Sequence, residues 1–153
     1  MKRLRTLLLT ACLAGALAPA LAGVVIVAHP GVRKLDATTV QRIYTGKVVE
    51  LGGQPVLPVN LAPSHLLRQR FLADYLQQDE QRYLAYWTVR RYVGKGAPPR
   101  EFNSSAEVIF YVLNTPGGIG YVDEVDVPPG VNVVSRGGPR CGQCTMRPDS
   151  AKE

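Results

Sequence analysis

Histidine is scarce. His29 and His65 are the only two in 153 residues, and neither has a Cys, Asp or Glu partner at metal-ligand spacing. A metal centre is therefore not expected. Ser64 and His65 are neighbours in sequence, so they cannot meet as nucleophile and base do in a triad, and no strained G-x-S-x-G elbow is present. Gly117, Gly118 and Gly120 follow a helical pattern and open a strand, the reverse of a dinucleotide fingerprint. These absences leave no case for an enzyme or a resident cofactor. No basic run interleaves with aromatics, which argues against nucleic acid. No internal repeat or sustained heptad occurs.

Cysteine is also sparse: Cys12, Cys141 and Cys144. Cys12 lies in an N-terminal stretch with Lys2, Arg3 and Arg5 ahead of an apolar run and Ala20-Leu21-Ala22 at its end. That is the pattern of a signal peptide over 1–22, cleaved before Gly23, and it predicts a periplasmic protein with no membrane span after processing. Leu9-Thr10-Ala11-Cys12 also fits a lipoprotein box. Lipidation at Cys12 would leave an apolar tail over 13–22, so it is the lesser alternative. Without the three leader bases the formal charge falls from +6 to +3, which suits an anionic ligand, an acidic partner or a solvated surface equally. Cys141-Gly142-Gln143-Cys144 lies in a polar tail over 136–153. There it is expected to close a small disulfide loop rather than to act as a thioredoxin-like pair.

The remaining 131 residues suffice for one core, and a single domain over 23–135 is expected. Val24-Val25-Ile26-Val27-Ala28 reads as a strand buried on both faces in a central parallel sheet. A helix follows over 35–44, capped by Asp36, stapled by Leu35 against Val40, and stopped by Gly46. Residues 47–54 read as an exposed turn, and 55–61 as a strand. Pro58 confines that strand to an edge or to brief pairing. Ser64 can cap a helix carrying Leu67, Phe71 and Tyr75, with Arg68 and Arg70 near its polar side. Asp79 opens a helix with Tyr83, Leu84 and Trp87; residues 94–102 read as a loop; Ser104 and Glu107 form a capping box. A glycine turn, the strand after it, and a last strand over 131–134 complete an α/β three-layer sandwich.

Four stretches carry a resemblance. Thr-Pro-Gly-Gly-Ile-Gly-Tyr-Val at 115–122 is similar to the T-P-G-A-I-G-Y-V signature of the phosphate-binding (PstS-like) periplasmic proteins of ABC transporters. Residues 35–46, 53–59 and 87–99 resemble, in the same order, that family's "L-s-x-x-x-l-x-x-I-F-x-G-k", "d-G-x-x-v-x-P-v" and "W-x-x-x-x-F-x-G-x-g-x-P-P" segments. The resemblance implies a small relative comprising one lobe of a type II periplasmic-binding-protein-like fold with its crossover strand.

It also implies where a ligand would sit. The family places R-x-x-G-S-G-T at the position of Asn60-Leu61-Ala62-Pro63-Ser64-His65-Leu66. Only Ser64 of that motif is kept. Asn60 stands for the arginine, Pro63 and His65 for the glycines, and Leu66 for the threonine. The expected ligand-binding set is Ser64, Arg68, Asn60 and His65, with Arg68 one turn past Ser64 as a substitute charge and Lys95 and Arg100 as weaker candidates. The helix start is expected to face the main concave surface near the 115–118 turn, and Asn60→Arg is expected to tighten phosphate binding. The function implied is a substrate-binding-protein-like module with weak affinity for inorganic phosphate or another oxyanion, accessory to uptake or sensing. The alternative is an interaction module, its cleft without ligand, that docks a periplasmic sensor or transporter component. A thiol–disulfide role for the tail pair ranks third.

Overall fold

A computed structural model describes residues 23–137. The expected leader, Cys12 and the Cys141/Cys144 pair lie outside the described residues. Strand β1 (Val24–Ala28) leads into α1 (Ala37–Tyr44), a hairpin of β2 (Glu50–Leu51) and β3 (Gln54–Pro55), and β4 (Leu57–Leu61). Helix α2 (Leu66–Phe71) continues as a π-helical turn (Leu72–Leu76), which Gln77 ends in the left-handed conformation. Then come α3 (Glu80–Tyr92), β5 (Arg100–Phe102), α4 (Ser105–Asn114), β6 (Gly118–Asp123), a 3₁₀ turn (Glu124–Asp126) and β7 (Asn132–Arg136).

The main sheet has the order β5-β4-β6-β1-β7. β4 runs parallel to β5 and β6, while β1 is antiparallel to both of its neighbours, β6 and β7. β1 is therefore central and buried along its whole length, as its unbroken apolar run predicts, but it is the one reversed strand rather than a member of a parallel set.

Side-chain alternation sorts the layers. A Cβ on Gly120 would meet Val108 and Val112 of α4, so that position faces α4. Tyr121 points the other way and stacks on Phe71 of α2, with ring centroids 4.0 Å apart and planes 3° apart; Tyr44 of α1 closes on the same pair. The three-layer sandwich follows: α4 on one face, α1, α2 and α3 on the other. Gly46 ends the α1 segment at φ +65, where an added Cβ would meet the Trp87 ring and the Arg90 guanidinium of α3. The stop signal is thus also a packing contact.

Several local expectations are corrected. β4 lies inside the sheet, not at its edge. Pro58 is tolerated there because amides alternate: Leu57 donates to Gly117 at 2.8 Å on the β6 side, so Pro58 faces the β5 side. β5 begins only opposite Val59. Residues 100–102, expected in a loop, form β5, and the 47–54 turn contains the β2–β3 hairpin. At α1, Asp36 holds the cap position but accepts from the Thr39 hydroxyl, not from a helix amide. That contact also draws its carboxyl below the usual range. At α2 the cap is His65, whose Nδ1 accepts from the Leu67 amide at 3.2 Å; Ser64 is left exposed in the preceding turn. Ser104 caps α4 and Glu107 returns to the Asn103 amide, close to the expected box.

Candidate functional site

Ligands of open α/β sheets sit beyond the C-terminal ends of parallel strands, where neighbouring strands part. In this sheet β4 and β6 pair only at Leu57/Gly118 and Pro58/Ile119. Towards the C-terminal end the ladder is replaced by a side chain: the Leu61 amide donates to the Tyr121 hydroxyl at 3.0 Å. Above this parting lie the 62–65 turn and α2.

Arg68 fills the crevice. Its side chain is 1% exposed and reaches back from α2 to the strand ends. Nη1 donates to the Leu61 carbonyl at 2.7 Å and to Glu101 Oε1 of β5 at 2.6 Å. Nε and Nη2 fork onto Glu80 Oε2 and Oε1, at the start of α3, at 2.7 and 2.6 Å. Four of the five guanidinium hydrogens are thereby spent inside the protein. Burial alone would lower the Arg68 pKa; the hydrogen bonds to Glu80 and Glu101 outweigh it and raise the value. One cation with two carboxylates leaves this cluster net negative. The expectation of a polar-face arginine is corrected. The sequence signal that could have found it is an acid in each neighbouring element, Glu80 in the first turn of α3 and Glu101 within β5.

Asn60 is wholly buried beneath the cluster. Its Nδ2 donates to the Tyr83 hydroxyl at 3.1 Å, and Tyr83 donates to the Tyr44 carbonyl at 3.3 Å. Asn60 Oδ1 has no partner. The Tyr83 ring lies under Arg68, 5.5 Å from Cζ. Burial raises the Tyr83 phenol, and raises Tyr121 and Tyr44 further. Every hydroxyl here is a neutral donor or acceptor, not an acid or base near pH 7.

The structure thus brings Asn60 and Arg68 together in one buried network and leaves Ser64 outside it. His65 spends Nδ1 on its cap. Lys95 follows the far end of α3, about 20 Å along the helix from Glu80. Arg100 turns onto the Phe102 ring, 5.0 Å from its centroid. The 115–118 turn lies beside Leu57, at the other end of β4 from Ser64, roughly 13 Å away by strand rise. The expected convergence of the α2 start with that turn is therefore corrected: the turn follows a helix and begins a strand, so it belongs to the opposite edge. A hollow of about 670 Å³ at that edge borders His29, Arg33, Gln54 and Gly117, not Ser64. Among the described residues no group of three His, Cys, Asp or Glu could hold a metal ion. No helix there is long and apolar enough to cross a membrane.

The five-stranded sheet with one reversed strand and helices on both faces matches the periplasmic-binding-protein fold over part of that fold's length. Solved structures agree. A phosphate ABC transporter substrate-binding protein from Clostridium perfringens, determined with bound phosphate, matches at TM-score 0.60 and 18% identity over 74% of this chain and 44% of its own. A phosphate transport receptor from Vibrio cholerae matches at 0.52 and 18%, over 74% and 45%. PstS from Borrelia burgdorferi matches at 0.57 and 14%, over 74% and 47%. This chain spans less than half the length of each. No protein-family profile and no curated protein matches it.

Proposed function

We propose that this chain is an exported, non-catalytic accessory of uptake or sensing, working in the periplasm by docking a sensor or transporter component. The observation that carries this reading is the occupied crevice. Where a free oxyanion would need unspent donors and positive charge, Arg68 is already held by Glu80, Glu101 and the Leu61 carbonyl. An incoming anion would have to displace two carboxylates at 2.6 Å and would meet net negative charge. A crevice occupied by the chain's own Arg68 would leave the surface as the place for a partner.

A second reading is weak binding of phosphate or another oxyanion by Ser64, His65, Asn60 and Arg68. Two observations favour it: the Ser64 hydroxyl is exposed beside the crevice, and one solved relative carries phosphate. Calorimetric titration with phosphate and sulfate at millimolar concentration separates the two. The docking reading expects no saturable heat. Saturable binding that Ser64→Ala weakens would overturn it in favour of the second.

A further inference from the structure

Helix α3 is apolar on two sides. Its inner face buries Tyr83 and Trp87 and lays Tyr86 and Arg90 against the end of α1, with Arg90 Nη2 donating to the Gly46 carbonyl at 3.1 Å. Its outer face carries Leu84, Ala85, Val89 and Tyr92, with the polar side chains of Gln81 and Thr88 between them. Nothing among the described residues covers this stripe. Leu84 is 47% exposed, Val89 62% and Tyr92 92%. By helical angle Arg82 and Arg91 flank it on opposite sides, both exposed and in no ion pair among the described residues, and Lys95 extends the basic edge past the helix end. Of the acids at the helix start, Glu80 holds Arg68, while Asp79 caps the Arg82 amide and keeps an exposed negative charge at that end. The outer face therefore presents a mostly apolar stripe edged by Arg82, Arg91 and Lys95, with Asp79 the acid at its start.

We infer that this face of α3 docks onto an anionic phospholipid surface, with Tyr92, Val89 and Leu84 entering the headgroup boundary and Arg82, Arg91 and Lys95 meeting lipid phosphates. Charge complementarity selects the occupant. A helix lying in an interface shows this layout, an apolar strip edged by Arg and Lys with an amphipathic ring at its end. A second copy fits poorly, because antiparallel pairing of two stripes would bring Arg82 of one copy beside Lys95 of the other. The inference uses export only for access to a membrane and is independent of how the crevice is read.

Co-sedimentation of the full chain, as recovered from cells, with vesicles of phosphatidylcholine alone or mixed with phosphatidylglycerol tests it. Comparing variants cancels any contribution from residues outside α3. Binding is expected only to the mixed vesicles. Each basic residue at such a surface contributes a factor of about five, so Arg82→Gln with Arg91→Gln should weaken partition on the order of 25-fold. Val89→Ser with Tyr92→Ser should also weaken it while leaving the circular dichroism spectrum unchanged. Equal partition into both vesicle types, no binding to either, or indifference to both double variants would overturn the inference. So would a concentration-dependent dimer that Tyr92→Ser abolishes, which would assign the stripe to a second copy.

Discussion

The Tyr121 hydroxyl takes the place of a backbone acceptor for the Leu61 amide, at 3.0 Å, where β4 and β6 part. One side chain thereby closes the sheet at the position where an open α/β fold would admit a ligand. Tyr121→Phe keeps the ring stack on Phe71 but leaves a buried donor unpaired. The expected loss is about 1–3 kcal/mol in urea unfolding, with the slope unchanged.

Burial raises the Tyr44 and Tyr121 phenols above their usual value of 10.0. The sign follows from linkage: in the unfolded chain these groups lose protons near pH 10, and in the folded chain they resist doing so. Their contribution to stability is full below that pH and is lost as pH rises above it, by about 1.4 kcal/mol per pH unit for each phenol. Stability measured against pH should hold steady up to about pH 9 and then fall. In a Tyr121→Phe background the alkaline fall should be shallower.

Arg68 ties α2, β5 and α3 together, so removing it leaves Glu80 and Glu101 facing each other. Arg68→Met is expected to cost roughly 3–5 kcal/mol by chemical denaturation. Arg68→Lys cannot reproduce the fork onto Glu80 and should recover only part of that loss.

Asn60→Arg, expected from the family motif to build an anion site, has the opposite prospect in the structure. Position 60 is wholly buried and bonded to Tyr83, whose ring carries the Arg68 guanidinium on its face. A second buried cation there lacks a carboxylate of its own, so the variant should melt well below the natural protein or fail to fold, with no gain in phosphate affinity.

Gly117→Ala tests the signature turn as architecture. The residue is at φ +77, and a Cβ would lie 2.0 Å from the Pro55 carbonyl oxygen. Left-handed strain combined with a backbone clash should destabilise by more than about 2 kcal/mol, read as a drop in melting temperature.

The elements that sequence resolved are those with strong local punctuation. The apolar run of β1, the Gly46 stop and the glycine turn before β6 depend on neighbours in the chain. What escaped depends on partners far away. β5 is three residues after a double proline, and it becomes a strand only by pairing with Val59, Asn60 and Leu61. The direction of β1 is set by pairing with Asp123 and Arg136, roughly a hundred residues further along the chain. Ser64 looked like the cap because serine is the commoner one, yet the chain turns one residue later and His65 takes the role. The buried network around Arg68 was not legible. Local sequence puts Arg68 on a polar face; its burial depends on Glu80 and Glu101, which lie 12 and 33 residues on.

The most direct test of the occupied crevice is the side-chain Nε–H resonance of Arg68, followed by nuclear magnetic resonance as phosphate is added. Held by Glu80 at 2.7 Å, it should stay unshifted through millimolar phosphate. A saturable displacement of that resonance, tracking bound phosphate, would show that the guanidinium is free to take an anion and would contradict the account.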